Sequence, residues 1–192
     1  MGLKKLLAGL VAVVALLGVT GCSQSGNVAA TVDGTVITEN FVQNSAREIA
    51  DVLSPDPKYD TYDFVGFVLG NSIMEKMLTD CLDQMGITLS DQDRERMWTS
   101  SYAPDSVEYA LWTNPKTQPA ITGLIDLTLV NGMAQAGSLD TNQFLALIDA
   151  MPITINPRYG QWDPERLSLS SRITNSPAGP LADPTTFIVP NE

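Results

Sequence analysis

A β-strand needs a partner for its backbone hydrogen bonds, and this chain offers strand-forming residues at only two distant places. The first is Val28 to Thr38, rich in Val and Thr and interrupted by the turn dipeptide Asp33-Gly34. The second is Ile153-Thr154-Ile155, which alternates directly after Pro152. The terminal strand has no neighbour in sequence to pair with, so its expected partner is Val28 to Val32. The fold class expected is mainly α, with a small two-stranded β element joining the N- and C-terminal ends. A two-stranded ribbon is marginal in water, so it should pack on a helix.

Between these ends the apolar residues recur at helical spacing. Thr38 can cap a helix from Glu39 to Leu53, with Phe41, Val42, Ala46, Ile49 and Leu53 on one side. Ser54-Pro55-Asp56-Pro57 breaks it. A longer helix is predicted from about Tyr62 to Met85, closed by Gly86. Its apolar set is broad, which predicts burial on most sides. Gly66 and Gly70 form a G-x-x-x-G pair that suggests close helix contact. Ser90-x-x-Asp93 resembles a capping box, Asp105-x-x-Glu108 is expected to open a short helix with Leu111 and Trp112, and Asp140-x-x-Gln143 to open another. A helix from about Gln118 to Ala136 lies between the last two.

The N-terminus points to a compartment. Lys4 and Lys5 precede an uncharged apolar run from Leu6 to Val19, and the run ends in Val19-Thr20-Gly21-Cys22. This is the layout of a secretory signal with small residues before the cut. The cysteine at the cut resembles a lipobox, in which the Cys22 thiol receives a diacylglyceryl group. The expectation is a signal peptide over 1–21, a polar tether over 22–27, one domain over 28–167, and a disordered tail rich in Pro, Ser and Thr over 168–192. The expected location is the cell membrane, lipid-anchored on its extracytoplasmic face.

Charge and residue usage exclude several functions. The leader carries two of the 11 basic residues and no acid, so removing it moves the net charge from −11 to −13. Such a surface argues against nucleic acid as a partner. The chain has no histidine. That removes Ser-His-Asp and Cys-His catalysis and histidine metal sites. No phosphate loop, EF-hand loop or C-x-x-C is present, so no enzyme, cofactor or metal is expected. With Cys22 acylated, Cys81 has no disulfide partner; it is expected to be buried in a helix. Glu48, Glu75, Asp80 and Asp83 are read as solvated helix faces rather than an acid-base cluster.

The two end segments carry a resemblance. Val28-Ala29-Ala30-Thr31-Val32-Asp33-Gly34-Thr35-Val36-Ile37-Thr38 resembles the opening of the SurA and PrsA foldase chaperone domain: an apolar strand, Asn/Asp-Gly, then a helix after Ile-Thr. Asn156-Pro157-Arg158-Tyr159-Gly160, with Trp162 and Asp163, resembles the close of lipoprotein members of the SurA N-terminal-like group. The resemblance covers about residues 28–163. It implies a helical, apolar-lined domain that holds unfolded or partly folded secreted proteins. Many members also carry a parvulin isomerase domain, whose site uses histidines; that activity is not implied here. The runner-up is an envelope interaction module that binds one protein partner.

A client-holding surface needs exposed, adaptable apolar groups, which methionine and aromatics supply. The candidate peptide-binding residues are Met97, Trp98, Tyr102 and Trp112, because they fall in short helices and loops. The same spacing also describes a core, and Met74 and Met77 are expected there. Arg158 is expected to find a carboxylate, with Tyr159 and Trp162 packing over the strands.

Overall fold

The computed structural model describes residues 27–53, 61–163 and 168–170. The candidate lipidation site Cys22, the signal peptide and tether up to residue 26, and the tail from 171 lie outside them. The described chain runs β1 (Val28–Val32), β2 (Thr35–Thr38), α1 (Glu39–Leu53), α2 (Thr61–Gln84), α3 (Asp91–Ser101), α4 (Val107–Thr113), α5 (Gln118–Gln135), α6 (Thr141–Ala150), β3 (Ile153–Ile155), β4 (Gln161–Asp163) and β5 (Ser168–Ser170). It is mainly helical, with small antiparallel sheets.

The main sheet has three strands, where two were expected. Its order is β2-β1-β3. Asp33 (φ +44°) and Gly34 (φ +81°) form a tight turn that folds β2 back onto β1. Both dihedrals lie in the left-handed region that a primed hairpin turn requires. The other side of β1 pairs with β3, Ala30 opposite Ile155 and Val32 opposite Ile153. Asn156 extends the contact: its backbone N–H donates to the Ala29 carbonyl at 2.9 Å and its side-chain amide to the Val28 carbonyl at 3.3 Å. Arg158 pairs with Glu39 and covers the ring of buried Tyr159.

A second departure concerns the tail. Ser168–Ser170, placed by composition in a disordered segment, pairs antiparallel with β4. Composition is blind to this, because the stabilisation comes from a ladder formed with a strand outside the segment.

Helix ends follow local chemistry. Ser90 and Asp93 form a reciprocal capping box at α3. Asp140 accepts from Gln143 N–H at α6. At α4 the cap is Ser106, which accepts from Tyr109 N–H, rather than Asp105. Helix α2 ends on Gly86 (φ +71°), with Ile87 N–H bonded back to the Leu82 carbonyl and Gly86 N–H to that of Asp83. That is the Schellman closure.

The core lies where α2 crosses α5 and α1, and the sheet packs on α2. Ile49, Leu69, Ile73, Met77, Leu78, Leu82, Ile121 and Ile125 are fully buried. Gly66, expected at a helix contact, faces open space. The close approach is made by Gly123 on α5: a Cβ there would meet the Asn71 carbonyl oxygen at 2.1 Å and the Glu75 nitrogen at 2.9 Å. Sequence spacing advertised the wrong glycine, because a G-x-x-x-G pattern says nothing about which face meets a neighbour.

Candidate functional site

The proposed peptide-binding aromatics come together, but inward. Trp98 is 3% exposed and Trp112 5%. The Trp98 ring lies 4.3 Å from Tyr102 and 5.6 Å from Trp112, centroid to centroid, tilted in both cases. These three rings join α3 to α4 and belong to the core, with Tyr102 half-buried. Burial, and then the charge of Glu108, pushes the Tyr102 hydroxyl up. Met97 is half-buried and packs against the same core. Trp98 and Trp112 therefore face inward rather than lining an open surface, while Met97 and Tyr102 stay half-exposed. Short helices cannot cover their own apolar faces, and these two do so by stacking aromatics against each other.

A groove lies beside this cluster. It has a volume of about 670 Å³ and is walled by β2, the middle of α2, the first turns of α3 and α5, and one edge of Trp112. Val36 and Phe41 form an apolar rim; Pro119 and Thr122 face them from α5. Of the four predicted residues only Trp112 reaches it.

Two polar contacts fix the walls of the groove. Arg94 on α3 grips Asp126 on α5 with both ends of its guanidinium, Nε at 2.7 Å and the second nitrogen at 2.9 Å. Asp126 is fully buried, so this fork supplies the charge and hydrogen bonds that make a buried carboxylate tolerable. Arg94 also donates to exposed Asp91 at 3.1 Å. Its guanidinium is held above its ordinary pKa, mainly by the bond to Asp126. The second contact is that of Glu95, which accepts the Trp112 indole N–H at 2.7 Å and pins that ring against the wall.

Elsewhere the titratable groups are structural. Cys81 is fully buried in α2, and burial, helped by the charge of Asp80, pushes its thiol up to about 11. Glu48 pairs with Lys116 at 2.8 Å and Glu75 with Lys76 at 3.0 Å. Among the described residues no cluster of acidic or thiol groups could hold a metal. None of the described helices is long and apolar enough to cross a membrane. A second, smaller hollow of about 380 Å³ lies by β3, between Met151 and Trp162.

The groove residues were missed in the sequence because they come from six separate elements. The sequence carried no signal for them; Val36 stands out in the structure alone, on a strand with no neighbour on its outer side among the described residues. No family model, curated protein or solved structure matches this chain.

Proposed function

We propose that this chain is an extracytoplasmic, lipid-anchored interaction module that binds one envelope protein through the groove between β2, α3 and α5. One observation carries the reading: a cavity of about 670 Å³ is bordered by a sheet edge on which no described strand lies and by the Arg94–Asp126 ion pair. Anchoring through Cys22 would keep the module at the membrane, with the acidic surface holding it away from anionic headgroups.

The client-holding reading borrowed from the SurA and PrsA resemblance comes second. The burial of Trp98 and Trp112 takes away its main surface. Among the described residues the exposed large apolar side chains are Val36, Val107 and Leu145. What favours it is the half-buried methionines Met97, Met133 and Met151 at the margin of the core, where thioethers can repack.

A photo-crosslinker at Thr122 in the full chain, expressed in its own envelope, separates the two. A single stoichiometric adduct, lost when Gln118→Trp fills the groove, is the expected result. A ladder of many adducts, with slowed aggregation of an unfolded client by the purified protein, would replace the module by the holdase.

A further inference from the structure

The groove has a wall that most ligand pockets lack. β2 is an edge of the main sheet, and among the described residues no strand lies on its outer side. The two-residue turn makes Val32 and Thr35 the closing hydrogen-bonded pair. By alternation Thr31 and Val36 form a non-hydrogen-bonded pair, so the Val36 N–H and C=O point away from β1. The Val36 side chain is 51% exposed and lies on the groove rim. An outward donor, an outward acceptor and an apolar side chain therefore stand together at the mouth of a cavity.

The charges of the lining sort themselves. Lys76 is matched by Glu75 at 3.0 Å. Arg94 is matched by buried Asp126 at 2.7 Å. Among the described residues, Asp91 shares Arg94 with Asp126, and Glu95 meets the neutral indole of Trp112 and no cation. Two carboxylate charges are left over at the α3 end of the groove. Asp91 is fully exposed and Glu95 exposed, so their attraction for a cation acts through solvent and weakens with salt.

We infer that the groove recognises an extended segment of a partner protein, added as a strand to the outer edge of β2, with a lysine or arginine directed at Asp91 and Glu95 and an apolar neighbour against Phe41 and Pro119. Strand addition supplies affinity through main-chain hydrogen bonds, and the pockets for alternate side chains supply selectivity. The inference rests on the groove being the binding site.

The test uses the full chain in neutral detergent and two fluorescent nine-residue peptides of alternating valine and threonine, one with a central lysine and one with a central glutamate. The lysine peptide should bind about ten-fold tighter, the worth of one well-placed charge contact. The Val36→Pro variant should lose about ten-fold in affinity for it, because proline removes the outward donor. It should keep its thermal midpoint, since that N–H makes no bond to β1. Glu95→Gln should weaken the lysine peptide several-fold, flatten its salt dependence, and tighten the glutamate peptide by removing a repulsion.

Equal binding of both peptides, or full affinity in Val36→Pro, would overturn strand addition. So would self-association of the chain abolished by Val36→Pro, which would give the edge to a second copy. Binding seen only after deletion of residues 171–192 would give it to the chain's own C-terminal segment. A Thr122 adduct that survives Val36→Pro would leave the groove as a binding site and reject only this mode of using it.

Discussion

Helix α5 meets its two neighbours by opposite means. Toward α2 it presents Gly123, so close that the helix backbones touch. Toward α3, one turn further on, it presents Asp126 to the fork of Arg94. The first contact is made by removing atoms and the second by placing charges. The groove touches both contacts: Ser72, Glu75 and Thr122 line it beside the shape-built one, and Arg94 lines it beside the charge-built one. A change at either contact therefore bears on the groove as well as on stability.

The largest expected effect tests the charged flank. Arg94→Met leaves Asp126 fully buried with no cation, which should cost about 3–5 kcal/mol in urea denaturation. The double variant Arg94→Met/Asp126→Leu should recover most of that loss, since an apolar pair can replace a buried ion pair. If the single variant lost under about 1 kcal/mol, the fork would be dispensable and the comparison would fail.

Next comes the shape-built contact. Gly123→Ala forces a methyl into the Asn71 carbonyl, a backbone atom that cannot swing aside, and should cost about 2–3 kcal/mol. Gly66→Ala, in open space on α2, should instead gain up to about 1 kcal/mol from helix propensity. Thermal midpoints that move in the same direction for both variants would show that the approach of α2 and α5 is not tight.

A smaller effect belongs to the core under α2. The Cys81 thiol is held up to about 11, against an ordinary value near 9.0. Between those values the folded chain binds more protons than the unfolded one. The contribution of Cys81 to stability is therefore complete below about pH 9 and falls as pH rises toward about 11. The stability difference between the native chain and Cys81→Ala should shrink over that window. In a Cys22→Ser background, the thiol should react with a disulfide reagent at pH 8 only after denaturant is added. The smallest change is expected for Glu95→Gln, within about 0.5 kcal/mol, because the glutamine carbonyl can still accept the Trp112 indole N–H.

Sequence alone determined what local chemistry controls. The turn at Asp33-Gly34, the caps at Ser90 and Asp140, the stop at Gly86 and the span of α1 all rest on residues within a few positions of one another. The absence of histidine bounded the chemistry in the same direct way. Tertiary structure decided the rest. The strand at Ser168–Ser170 and the tight glycine at 123 each depend on a partner distant in the chain. The inward turn of Trp98 and Trp112 has the same origin: helical spacing marks an apolar face, but only the packed neighbour decides whether that face is covered. A groove belongs to the gap between elements, and no single stretch of sequence records a gap.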